Sequence, residues 1–178
     1  MMNRTHLLSL NGFRELARPT SAHVDAKEID KYIEECEDMY IVPAIGLEWY
    51  KRLLGDIEEE MEQEYTLLNG GEWIDAPCGC GDGVLKKCHG IRKALAYFVY
   101  ARMIQNDGSI MTRTGLMQHN DEYASRSDDR NRVRKYDEVM NVAETYLSSV
   151  LAYLKHITGD CRVGKVRGTR LRITAIGD

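Results

Sequence analysis

Residues Ala94 to Ile104 read ALAYFVYARMI, eleven positions with a single charge, Arg102. If helical, such a run is apolar nearly all round and must be covered by neighbours on most sides, so it reads as the central helix of a bundle, running from about Gly90 to Gln105. Turn-formers bracket it. Asn69-Gly70-Gly71 and the glycine- and cysteine-rich stretch Cys78 to Cys88 precede it, and Asn106-Asp107-Gly108 follows.

The flanking patterns are mostly helical. Asp25 with Glu28 three residues on resembles a capping box, after which Ile29, Tyr32, Ile33, Cys36 and Tyr40 recur at helical spacing. Pro43 is expected to end or kink that helix. A short helix from Ala44 would carry Ile45, Trp49 and Leu53 on one face and stop at Gly55. A third would bury Ile57, Met61, Tyr65 and Leu68 behind the acidic run Glu58 to Glu60. The clearest signal comes last: Val133, Tyr136, Met140, Ala143, Leu147, Val150, Leu154 and Ile157 alternate spacings of three and four. Val139, Tyr146 and Tyr153 add a second row, widening the stripe beyond a coiled-coil seam and favouring packing within the chain. The polar segment from Asn106 to Asp129 shows no clear period.

After Gly159 the pattern changes to CRVGKVRGTRLRITAI, extended in character, with basic residues interleaved. An isolated strand satisfies its backbone by adding to a sheet edge or lying along another chain, which suits an inter-subunit arm. The alternatives are an antiparallel pair with His6 to Leu10, or no fixed structure. The expected fold is mainly α: one bundle domain of about five helices over residues 1–158, with a glycine/cysteine-rich loop or hairpin and an extended basic C-terminal arm over 159–178.

Composition sets wide bounds. The 178 residues suffice for one domain with one core, and 43% hydrophobic with 29% charged residues is ordinary for a globular chain. No apolar run approaches the roughly eighteen residues of a membrane span, and MMNRTHLLSLNGF lacks a leader's long apolar core, so a cytosolic chain without a membrane partner is expected. Five cysteines, an odd number, favour reduced thiols over a disulfide framework. The net charge of -4 hides a polarity: Asp25 to Glu64 holds 14 acidic against 4 basic residues, whereas Cys161 to Asp178 holds 5 basic and 1 acidic. Opposite ends suit head-to-tail association, against the alternative that both are simply solvated surface.

Catalytic constellations are weak. Cys78, Cys80, Cys88 and His89 offer three thiols and an imidazole, but Cys-x-Cys followed by an adjacent Cys-His departs from the usual zinc knuckle. Gly79, Gly81 and Gly83 lack the following Gly-Lys-Ser or Gly-Lys-Thr of a P-loop. Neither Cys88 with His89 nor Cys36 with His23 is a convincing nucleophile pair. The glutamates of Glu58 to Glu64 lack the Glu-x-x-His partners of a di-metal bundle. Arg126, Arg130, Arg132, Arg134 and Lys135 form a basic cluster, diluted by Asp128, Asp129 and Asp137, that could touch nucleic-acid backbone. The expectation is a protein that is not an enzyme and has no cofactor, with zinc on Cys78, Cys80, Cys88 and His89 as the alternative.

Four segments in order carry a resemblance: Ile33 to Leu54, IEECEDMYIVPAIGLEWYKRLL; Tyr65 to Gly71, YTLLNGG; Gly90 to Ile104, GIRKALAYFVYARMI; and Thr112 to Gly115, TRTG. They resemble the head-tail connector, or adaptor, proteins of tailed bacteriophages, in particular those of crAss-like and related Bacteroidales phages. The resemblance spans about the central half of the chain and omits Cys78 to Cys88 and the arm. It implies a small, mainly helical virion protein, assembled in the host cytoplasm, that docks as a dodecameric ring beneath the portal at the capsid vertex. Its partners would be the portal protein, neighbouring copies, the next tail component and DNA passing without specific binding. On that expectation Arg162, Lys165, Arg167, Arg170, Arg172, Tyr146 and Tyr153 are candidate portal or subunit contacts, and Glu58, Glu59 and Glu60 candidate channel-facing carboxylates. A nucleic-acid-binding or zinc-stabilised helical interaction module is the alternative.

Overall fold

Helix α6 (Ile91–Asn106) is the axis around which the other elements assemble, as its composition predicts. The structure is a computed structural model that describes residues 6–19, 25–55, 61–75, 83–106, 109–112, 115–118 and 129–159. Ile91, Ala94, Leu95, Ala96, Phe98, Val99, Tyr100 and Ala101 are all buried. Helices α1 (Leu10–Leu16), α2 (Ala26–Cys36), α5 (Glu62–Asn69) and α7 (Asp129–Thr158) pack around α6, with α7 lying along it. The buried side chains form one core, and the molecule is a mainly α single domain.

Helix α2 starts where its cap residue predicts, with the Asp25 carboxylate accepting from the Lys27 N–H at 3.0 Å. Ile29, Ile33 and Cys36 face inward at helical spacing. Pro43 does not end the helical path. The turn widens into a π-helical segment (Glu37–Ile41), with the Val42 N–H reaching the Glu37 carbonyl, and continues as α3 (Val42–Ile45). Proline interrupts a helix by removing an N–H and crowding the carbonyl four residues back, and the wide turn just before it relieves both demands. The break comes instead at Gly46, with φ 86, so the next helix is α4 (Leu47–Leu54) and Ile45 belongs to the preceding turn.

Other expectations are corrected similarly. The inward residues of α5 are Glu64, Leu67 and Leu68, while Met61 and Tyr65 are exposed. Burial of Glu64 is tolerated because Arg52 of α4 pairs with it. His6 to Leu10 forms no strand: Leu7 and Leu8 are buried, and Ser9 caps α1 by accepting from the Gly12 N–H at 3.1 Å. In α7, Val139, Ala143, Leu147, Val150, Leu151, Tyr153 and Leu154 are buried within the chain, whereas Val133 stands exposed.

Two antiparallel hairpins complete the described residues. Strands β1 (Gly71–Asp75) and β2 (Val84–Cys88) pair from Gly71 opposite Cys88 to Asp75 opposite Val84. Strands β3 (Ser109–Thr112) and β4 (Gly115–Gln118) pair within the segment that showed no period. Helix α7 ends at Thr158. The arm carrying Arg162, Lys165, Arg167, Arg170 and Arg172 lies outside the described residues, as do Glu58, Glu59, Glu60, Cys78 and Cys80.

Candidate interaction surface

The β1–β2 hairpin enters and leaves the helical body between two touching glycines. Gly70 has φ 95 and Gly90 φ 83, a region that disfavours any side chain. A Cβ on Gly90 would lie 2.6 Å from both the Asn69 carbonyl carbon and the Gly70 nitrogen, and one on Gly70 would lie 2.9 Å from the Cys88 oxygen. Backbone therefore packs directly on backbone where α5 hands over to α6. Arg92 locks the junction from outside, donating to Asn69 Oδ1 at 2.7 Å and to the Leu7 carbonyl at 2.9 Å.

Strand alternation gives the hairpin two different faces. Trp73 and Cys88 point to the body, and Trp73 packs on Tyr153 and His156 of α7 at centroid distances of 5.6 and 4.5 Å. Lys86 lies over the Trp73 ring and pairs with Asp75, closing that side. On the outer face Glu72 opposes Lys87 and Ile74 opposes Leu85. Ile74 and Leu85 are 60% and 64% exposed, an apolar cross-strand pair presented to solvent, and Val84 next to them is 61% exposed.

Tyr153, expected at an interface, is 6% exposed and committed to the hairpin's inner face. Tyr146 is half-buried, stacked on His89 at 4.6 Å, edge-on to Tyr97 and beneath the Lys93 ammonium. The Ser149 hydroxyl donates to the Tyr146 carbonyl at 2.7 Å and accepts from the His89 backbone N–H at 3.1 Å. With its one hydrogen so used, it also accepts from His89 Nδ1 at 3.0 Å, which fixes the imidazole's tautomer. Burial, then Lys93 and Lys87, lower the His89 pKa and favour the neutral ring.

The cysteines available to view are occupied structurally. Cys88 is buried, its thiol pushed up by burial and donating to the Thr66 carbonyl at 3.6 Å, while the neighbouring His89 turns to Ser149. Cys88 and His89 thus serve different partners. Burial pushes the Cys36 thiol up to about 12, which suppresses the thiolate a nucleophile needs. Among the described residues no three His, Cys, Asp or Glu side chains converge as a metal site. The basic cluster's described members, Arg130, Arg132, Arg134 and Lys135, lie on the first turns of α7, with Arg130, Arg134 and Lys135 exposed.

One buried carboxylate was not singled out by the sequence. Glu37, 1% exposed in the π-helical segment, accepts from the Leu7 N–H at 2.7 Å, Tyr50 Oη at 2.9 Å and the His6 ring at 2.9 Å. It pins the N-terminal segment to α4 through the widened turn. Its charge gave no hint of burial, since it sits among exposed acidic neighbours in an acidic helix.

The arrangement defines a helical domain with a presented hairpin face and polar groups engaged in holding the fold. Residues 41–160 match a family of unknown function, DUF6712, and the chain belongs to that family. No curated protein and no solved structure matches it. No helix among the described residues is long and apolar enough to cross a membrane.

Proposed function

We propose that this chain is a structural subunit of a tailed-phage virion, a head-tail connector that assembles as a ring beneath the portal and extends the DNA channel. The observation that carries the reading is the outer face of the β1–β2 hairpin, where Ile74 and Leu85 are held in solvent on a strand pair anchored by the Gly70–Gly90 contact. A paired apolar patch on a firmly rooted hairpin suits protein–protein contact. Two segments of the resemblance, Tyr65 to Gly71 and Gly90 to Ile104, meet at that junction. The exposed carboxylates of α2, Glu28, Asp30 and Glu34, with Asp38 beyond, outnumber its exposed Lys27 and Lys31, a net acidic balance that would disfavour tight binding of phosphate and let DNA slide past.

The test is native mass spectrometry of the full chain mixed with the portal protein of the same phage, recording bound metal in the same spectrum. A portal complex carrying a ring of this chain is the expected result; a free monomer beside assembled portal would reject the reading. The paired variant Ile74→Asp with Leu85→Asp should weaken portal or ring binding at least about tenfold. It should remain folded at a cost of about 1–2 kcal/mol, because two carboxylates then face each other across the strand pair and aspartate suits a strand poorly. The exposed Arg130, Arg134 and Lys135 favour a second reading, DNA-backbone binding, which would appear as affinity falling steeply with salt.

A further inference from the structure

Strands β3 and β4 form a two-stranded sheet separate from β1–β2, and among the described residues no helix and no other strand makes more than a marginal contact with it. A two-stranded hairpin left to itself in water is marginally stable at best, and this one lacks the support that α7 gives β1–β2. Its strands read SIMT and GLMQ, with no charge in either. The register sets Ile110 opposite Met117 and Met111 opposite Leu116, so strand alternation assigns one apolar pair to each face. On the other hairpin, Ile74 and Leu85 stand 60% and 64% exposed beside Glu72 and Lys87, which oppose one another and leave that face without net charge. Charge therefore keeps neither hairpin from the other.

One chain is unable to join its own two hairpins. β2 leads into the start of α6 and β3 follows its end, and the 16 residues of α6 span about 24 Å. The β1–β2 hairpin lies farther off still. His89, at the start of α6, already meets Tyr146, and the hairpin packs beyond it on Tyr153 and His156. Fully extended, the stretch from Asn106 to Met111 reaches roughly 17 Å, short of the helix alone. Two copies have no such limit.

We propose that the Ile74–Leu85 face of one copy is covered by the β3–β4 hairpin of a second copy, a head-to-tail contact repeated from copy to copy. A heterologous contact of this kind closes into a ring when its rotation closes. Packing two uncharged strands on an apolar pair takes no ion out of water, and methionine suits a surface that adapts to its partner. The contact deepens the connector reading, on which it rests for the closing of the ring, by naming the neighbour's surface at that face.

A photo-crosslinking amino acid at Val84, 61% exposed beside the pair, tests it in the full-length chain. Equal parts of light and heavy isotope-labelled protein are irradiated alone and with the portal protein. The expected crosslinks fall on Ser109–Thr112 and Gly115–Gln118 and join light to heavy chain as often as like to like. They should drop about tenfold in Ile74→Asp with Leu85→Asp, and likewise in Ile110→Asp with Met117→Asp. They should return when the second variant carries the probe and the first, whose β3–β4 hairpin is intact, is mixed with it. Crosslinks within single chains, to other segments, to the portal alone or to nothing would overturn the proposal. A portal complex without crosslinks on β3–β4 would remove this contact and keep the connector reading, and those crosslinks without a portal complex would do the reverse.

Discussion

Gly90 and Gly46 share a positive φ, 83 and 86, but differ in surroundings, which separates backbone preference from crowding. Nothing lies within 4 Å of a Cβ built on Gly46, whereas at Gly90 it would strike the Asn69 and Gly70 backbone. Gly46→Ala should cost about 1–3 kcal/mol from conformation alone, since φ 86 with ψ 151 is a region that essentially only glycine adopts. Gly90→Ala should cost roughly 3 kcal/mol or more, since two backbones must separate, and urea denaturation of both variants reads the difference. A second residue-scale effect concerns alkaline pH. Burial holds the Cys36 thiol at about 12 against an ordinary value near 9, and the Tyr40 hydroxyl, its ring stacked on Phe98 at 4.4 Å, at about 12 against 10. Both folded values are raised, so the associated stability is fully present below pH 9 and is lost as pH rises towards 12. The denaturation midpoint should fall across that window, and Cys36 should resist a thiol reagent at pH 8 until the protein is unfolded.

Among the elements, α6 and α7 were the most legible because their length gives periodicity many chances to repeat. Helix α1 was not, since LNGFREL is a single pair of turns with Gly12 inside it and relies on Ser9 and the buried Phe13. The β3–β4 hairpin was hidden for the same reason, four-residue strands being too short to show alternation. Pro43 misled because its helix-breaking effect depends on the turn before it, and sequence spacing does not report a π turn. That widened turn also carries Glu37 inward. Glu37→Ala would strand the buried Leu7 N–H and take the acceptor from the half-buried Tyr50 hydroxyl, and should cost about 2–4 kcal/mol. Tyr50→Phe should cost about 1 kcal/mol, and the double variant should be less destabilised than the two losses added, because they share one hydrogen bond. Equilibrium unfolding of the three variants measures the coupling.

For the whole molecule, one core built on α6 followed from composition and periodicity, while the presented surface did not. Ile74 and Leu85 are unremarkable in sequence; only the register that sets them opposite one another, with Trp73 turned the other way, makes them a patch. Tyr153 failed as a surface candidate for the converse reason: a tyrosine in a helix stripe reads alike whether a neighbouring molecule or the chain's own hairpin covers it. The contact of Gly70 with Gly90 has one more consequence. Because the chain departs from and returns to the helical body at a single point, the β1–β2 strand pair resembles a cassette plugged into a fixed socket. Loop length changes closure entropy only slowly, so evolution or an engineer could recode or exchange the strand pair's outer face without shifting α5 against α6. A single scaffold could thereby be refitted for one neighbour after another.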